Sequence, residues 1–200
     1  MTAAALVLAS ASAARAELLA RAGLAVARDP AELDEAALKS ASRARGDNAV
    51  AGALRLAEAK ALAVAPRHPG MLVIGADQIL SCDGAWFDKP RDLGEARAQL
   101  RRLRGRTHDL ATAAVLAKDG EVLWRGSGCP RLAMRGFSDA FLEDYLAREG
   151  EAALGSVGAY RLEAAGIQLF DRVEGDFFTI LGLPLLPLLA ALRRHGALAS

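Results

Sequence analysis

The 200-residue sequence predicts an α/β fold, and three observations carry that prediction. Apolar runs of strand length alternate with segments of helical periodicity, the breaks between them are short, and no repeat, low-complexity tail or long polar linker interrupts the alternation. The length suits one domain, or one two-lobed domain spanning 1–200, with ample chain to bury a core.

Each element has a local reason. Leu6 to Ala9 is an apolar run short enough for a buried strand, the serines after it make a turn, and a helix runs from Ala13 to about Arg21 with Ser12 as its N-cap. Asp34 and Glu35 stand where acids complement a helix start. In "GALRLAEAKALAVA" Leu54, Ala57, Ala61 and Val64 recur at helical spacing, and "MLVIGADQIL" then reads as a buried strand. Asp83-Gly84 and Asp119-Gly120 are hairpin turns, the first before "AWF" and the second between "AAVLA" and "EVLW". Asp92 with Glu95 gives a capping-box start to "LGEARAQLRRL", and Ser138 caps "DAFLEDYLARE". The C-terminal "FFTILGLPLLPLLAAL" reads as a buried strand running into a terminal helix.

Charge and cysteine content exclude several classes of function. A net charge of +1 offers no broad basic field, so nucleic acid is not an expected partner, while a small anion remains allowed. Cys82 and Cys129 lack any CxxC partner, which argues against a disulfide framework or a zinc knuckle and for a reducing cytoplasm. The N-terminal "AAALVLASASA" lacks the basic n-region of a signal peptide. Gly182, Pro184 and Pro187 interrupt the C-terminal apolar stretch before it reaches spanning length, so no membrane is expected.

The candidate chemistry starts at Arg15. A cation in the first turn of a helix meets the positive end of the helix dipole, so it wants a negative partner. Glu17 or another acid would serve as a surface partner; alternatively Ser10, Ser12, Arg15 and the free N–H groups form a donor array for a polyphosphate. Asp77 is the sharper anomaly, a carboxylate inside "MLVIGADQIL" where the apolar pattern resumes after it. A buried acid needs a metal, a cation or a catalytic role, and a loop start fits less well because the turn comes later at Asp83. Asp34 and Glu35 are potential oxygen ligands, and Lys60 and Lys89 potential phosphate neutralisers, although each alone reads as a solvated side chain. Together they are the kit for metal-assisted attack on a polyphosphate. His68, His108 and His195 have no metal-ligand spacing, and neither a P-loop, a dinucleotide glycine fingerprint nor a G-x-S-x-G elbow is present.

The blocks "LASAS..RAELL", "DE", "LAEAKA", "IGADQ", "DKPRD", "GRTHDLATAAVL" and "GSVGAYRLEAAGIQLFDRVEGDFFTILGLPLLPLL" resemble, in order and over nearly the whole chain, the Maf family of nucleoside triphosphate pyrophosphatases. The resemblance implies a curved mixed β-sheet flanked by helices, with two lobes around a cleft as in the Maf and ITPase folds. It implies hydrolysis of non-canonical or modified nucleoside triphosphates to monophosphate and pyrophosphate, a house-cleaning role, with a divalent metal (Mg2+ or Mn2+). It makes Asp77 the proton acceptor for the attacking water and, with Glu35, a metal ligand; Ser10, Ser12, Arg15, Lys60, Gln78 and Lys89 are its polar substrate-binding residues. A homodimer is left open. So is a second role, because Maf proteins are also associated with arrest of cell division: a nucleotide-binding regulator (septum formation inhibitor) with little turnover.

Four positions depart from the usual family pattern. Ala13 and Ala14 replace a proline and a basic residue, and Ser156 stands where many members have lysine. Glu163 replaces a glutamine, as in the branch acting on 7-methylated guanine nucleotides, which implies a base-pocket carboxylate; a surface acid paired with Arg161 or Arg172 is the alternative.

Overall fold

The computed structural model describes residues 6–199. The chain runs β1 (Leu6–Leu8), α1 (Ala13–Arg21), β2 (Val26–Arg28), α2 (Glu35–Ala44), α3 (Ala49–Val64), β3 (Leu72–Cys82), β4 (Ala85–Phe87), α4 (Leu93–Leu103), β5 (Thr107–Lys118), β6 (Glu121–Gly128), β7 (Arg131–Met134), α5 (Asp139–Glu149), β8 (Phe170–Glu174), α6 (Phe177–Ile180) and α7 (Leu185–Arg194), with short 3-10 turns between α5 and β8. The α/β expectation holds: a mixed eight-stranded sheet, of order β2-β1-β3-β5-β7-β8 with β4 on β3 and β6 on β5, is accompanied by seven α-helices among the described residues. Residues 3–5 of the N-terminal apolar run lie outside the described residues. No helix among them is long and apolar enough to cross a membrane.

The chain divides into two compact units. Unit 1 holds the residues up to Gln78, Thr112–Gly128 and those from Asp176 onward. Its β1 pairs in parallel with β2 and with β3, and β6 lies antiparallel on β5. Leu6 and Leu8 of β1 and Leu72, Ile74 and Ala76 of β3 share one core with Leu18 and Leu19 of α1 and Leu188 and Leu192 of α7. Strand periodicity therefore turns Val73, Gly75 and Asp77 to the opposite face. There α3 comes close: a Cβ on Gly75 would stand 2.0 Å from the Ala57 carbonyl oxygen and 2.7 Å from the Ala61 amide nitrogen. Only glycine permits this approach, which brings Lys60 of α3 within reach of Asp77.

Unit 2 holds Ile79–Ala111 and Cys129–Gly175. The β3–β4 hairpin turns at Asp83-Gly84 (φ 50° and 77°), the left-handed pair of a type I′ turn. Within the unit β7 pairs with the first residues of β5 and with β8. Asp92 caps α4 by accepting the Glu95 N–H (2.8 Å), but the Glu95 carboxylate accepts from the Arg91 N–H (2.8 Å), so the expected box closes one residue early.

One expected element is wrong. "FFTI" forms the short helix α6 and not a strand, because the Asp176 carboxylate caps it through the Thr179 N–H (2.7 Å) and hydroxyl (2.6 Å). Gly182, at φ 111°, then turns the chain toward α7.

Candidate active site

Unit 1 gathers seven of the site residues expected from the sequence. At its centre is Asp77, 5% exposed in the middle of β3. Lys60, 7% exposed on α3, places its ammonium 2.6 Å from Asp77 Oδ1 and 2.8 Å from Glu35 Oε1. The other Asp77 oxygen, Oδ2, is buried and has no hydrogen-bond partner among the described residues. Burial works to raise the Glu35 carboxyl, but the hydrogen bond and charge of Lys60, with the charges of Lys39 and Arg15, outweigh it and hold the group below the ordinary range.

Within the chain, Lys60 is shared by two carboxylates. Glu35 owes its place to α2, whose first residue it is, with Asp34 as the cap accepting the Ala37 N–H (2.9 Å). Asp34 is therefore occupied at the helix start, as the dipole argument has it.

Arg15 answers to the same centre. Ser12 caps α1 through the Arg15 N–H (3.3 Å), and the side chain turns inward. Its Nε donates to the Gly182 carbonyl (2.9 Å), and its Nη1 to Ser10 Oγ (3.0 Å) and the Ala76 carbonyl (3.0 Å). The surface pairing with Glu17 does not occur, since Glu17 pairs with Arg21 at 2.5 Å. Burial lowers the guanidinium from its ordinary value while the negative fields of Asp77 and Glu35 oppose that shift. The negative partner that a cation at this helix start requires is therefore, within the chain, the field of those two carboxylates. Ser10 also accepts the Ser12 N–H (3.3 Å), so both serines are part of the arginine's mooring.

Gln78 follows Asp77 on the other face of β3. Its amide nitrogen donates to Thr112 Oγ1 (2.8 Å) and to the Thr179 and Ile180 carbonyls (3.2 and 3.0 Å). The donor end is committed to the protein, which leaves the amide oxygen as the end able to meet a ligand. Thr112, Thr179 and Gly182 are parts of this site that sequence reasoning missed. A hydroxyl inside the apolar run of β5 carried the same signal as Asp77, but the carbonyls of 179–182 carried none.

Lys89 and Glu163 belong to unit 2. Lys89 is exposed and lines a pocket of about 520 Å3 with Trp86, Phe87, Arg91, Gln99 and Arg102, where Arg91 is paired with Glu95. Glu163 is exposed and pairs with Arg161 (Nε to Oε1, 3.4 Å), while Arg172 is taken by Glu174 (2.9 Å). Ser156 is half-buried at the entry to the turn before Tyr160.

The three histidines lie apart, each in its own surroundings. His68 pairs with Asp29 (2.7 Å), His195 ends α7 on the surface, and buried His108 meets the Tyr160 hydroxyl (2.7 Å). Both cysteines are free. Among the described residues no group of three or more His, Cys, Asp or Glu side chains forms a metal cage. The donor set that exists is two carboxylates sharing one ammonium, with one buried carboxylate oxygen unpartnered. That set fits magnesium-type coordination, in which one or two carboxylates act with substrate phosphates and water.

A family model described as Maf-like protein matches residues 5–195. A protein of Granulibacter bethesdensis named nucleoside triphosphate pyrophosphatase is 55% identical over 193 residues, 96% of this chain and 98% of the relative. One of Paramagnetospirillum magneticum with the same name is 54% identical over 96% of this chain and 98% of its own length. A Mesorhizobium japonicum protein named 7-methyl-GTP pyrophosphatase is 51% identical over 96% of this chain and 97% of its own length.

Proposed function

The chain belongs to the Maf-like protein family, and from that premise we propose that it is a nucleoside triphosphate pyrophosphatase, a hydrolase of the α–β phosphoanhydride bond that yields a nucleoside monophosphate and pyrophosphate. The observation that carries this reading is Asp77: a buried carboxylate fixed by Lys60 through one oxygen and free of protein donors, among the described residues, at the other. An oxygen so placed accepts a proton from an attacking water, while Lys60 keeps the carboxylate oriented and offsets its charge. Water adds to phosphorus, the bridging P–O bond breaks, and pyrophosphate leaves with the bond's electron pair. Glu35 and Asp77 would hold the divalent cation, magnesium or manganese, which when bound neutralises charge on the phosphate oxygens.

Arg15, moored by Ser10, Gly182 and Ala76, contributes a fixed positive field and not a mobile clamp. Lys89, exposed on unit 2, is a compact point charge of the kind that neutralises phosphate.

The base is a 7-methylated guanine. Glu163 offers acceptors only, guanine presents adjacent N–H donors on its Watson–Crick edge, and methylation at N7 adds positive charge to the ring. Thymine and uracil present carbonyls that a carboxylate repels. A charge-assisted bond supports discrimination of roughly ten- to a hundredfold. Relatives of similar identity carry both names, so overall similarity does not choose the base.

Purified protein offered a nucleotide panel is expected to release monophosphate and pyrophosphate, to lose activity on chelation, and to show a higher kcat/KM for 7-methyl-GTP than for dTTP or UTP. Diphosphate and orthophosphate as main products would overturn the reaction. Equal or better use of dTTP and UTP would overturn only the base assignment.

A further inference from the structure

In unit 2, the segment that carries Glu163 is gripped from one side by α5. Tyr145 and Glu149 are one helical turn apart and so share a face of that helix. The Tyr145 hydroxyl donates to the Ala159 carbonyl (3.1 Å). Glu149, whose side chain is only 7% exposed, accepts the Ala165 N–H at Oε1 (3.3 Å) and Arg161 Nη1 at Oε2 (3.5 Å). These three anchors, at 159, 161 and 165, bracket Glu163.

The held segment is strained. Ala159 is fully buried at φ 60°, a left-handed conformation that a side chain bearing a Cβ adopts only when its surroundings impose it. Gly158 before it, at φ 79°, has no room for a Cβ, which would stand 2.6 Å from Leu80 Cδ1. Tyr160 after it is fixed by His108 (2.7 Å). Burial, then the charge of Glu149, pushes Tyr145 well above the usual tyrosine range, so its hydroxyl remains a donor.

Arg161 divides its guanidinium between two acids at nearly equal and long distances, 3.5 Å to Glu149 and 3.4 Å to Glu163. A guanidinium shared in this way orients Glu163 without closing a tight bidentate pair over it. The Glu163 carboxylate keeps acceptor capacity for a ligand.

We propose that Tyr145 and Glu149 are positioning residues for base selection: they fix the 159–165 segment and draw Arg161 partly off Glu163, so that its carboxylate is aimed yet not neutralised. This rests on the reading of Glu163 as the base selector.

The test measures KM and kcat for 7-methyl-GTP and dTTP on the full chain and on Glu163→Gln, Glu149→Gln and Tyr145→Phe. In Glu149→Gln, Arg161 closes on Glu163; KM for 7-methyl-GTP is expected to rise roughly three- to tenfold with kcat nearly unchanged, and dTTP to be spared. Tyr145→Phe is expected to lower the 7-methyl-GTP/dTTP ratio about two- to threefold. A merely structural role would depress both nucleotides by one common factor, and that result would overturn the proposal. A ratio shifted by Glu163→Gln but not by Glu149→Gln overturns it while leaving the base reading intact. A ratio indifferent to Glu163→Gln removes the base reading and the proposal with it. If Glu149→Gln does not fold, Arg161→Lys, which keeps the charge but loses the fork, must lower the ratio in the same way.

Discussion

Asp77 in β3 and His108 near the start of β5 are both polar side chains buried in strands, at 5% and 1% exposure, and they meet desolvation differently. Asp77 has a cation 2.6 Å away. His108 has aromatic neighbours, Tyr160 and Phe170, and burial pushes it down to about 4, so it is neutral at physiological pH with Nδ1 lacking a partner among the described residues. A buried ionisable group either recruits a counter-charge or gives up its own. Unit 1 takes the first course, pairing Asp77 with Lys60, and unit 2 the second, leaving His108 a hydrogen bond to Tyr160.

The comparison breaks most readily at Lys60. Lys60→Met leaves Asp77 without its ammonium, and unfolding in urea is expected to show about 3–5 kcal/mol of lost stability. A loss below about 1 kcal/mol would mean that solvent reaches Asp77.

His108 tests the other arm through pH. Its folded value is depressed from 6.5 to about 4, so the unfolded chain binds the proton more readily between those values. Stability is therefore complete above about 6.5 and falls as pH drops toward about 4, by up to about 3 kcal/mol. Urea midpoints at several pH values should give an acid limb that His108→Gln flattens. Equal slopes in both proteins would show that the imidazole is not held neutral.

Asp77→Asn sharpens the functional side. It should lower pyrophosphate release by on the order of 100-fold or more, about 2.7 kcal/mol of barrier, with an unchanged circular dichroism spectrum. Retained turnover in the folded variant would assign the base to another carboxylate. The smallest effect is expected from Tyr160→Phe, which leaves His108 Nε2 unpaired and costs about 1–2 kcal/mol at neutral pH; a neutral outcome would show that water replaces the hydroxyl.

Much of the site was legible residue by residue, because a misplaced charge shows against an apolar run. Asp77 stood out in "IGADQ", and Arg15 in the first turn of a helix. Their partners were not legible. Lys60 is 17 residues from Asp77, and Gly182 is 167 residues from Arg15. Lys60 and Arg15 therefore read as phosphate neutralisers with no hint of the carboxylates and carbonyls they meet within the chain. Alanine added ambiguity in α3, since Ala57 and Ala61 satisfy helical periodicity without revealing that they are the residues against which Gly75 closes.

The sequence by itself determined the local structure: the caps at Ser12, Asp34, Asp92 and Ser138, the turns at Asp83 and Asp119, and the alternation that makes β3 a buried strand. These depend on interactions within a few residues, where side-chain type fixes backbone choice. Tertiary structure decided which buried charges are paired, that "FFTI" coils into a helix, that Gln78 spends its donors on Thr112 and the 179–180 carbonyls, and that Ala159 is forced to positive φ. Those outcomes depend on which segments pack together, and desolvation gives a buried polar group its partner or its neutrality only once that packing exists.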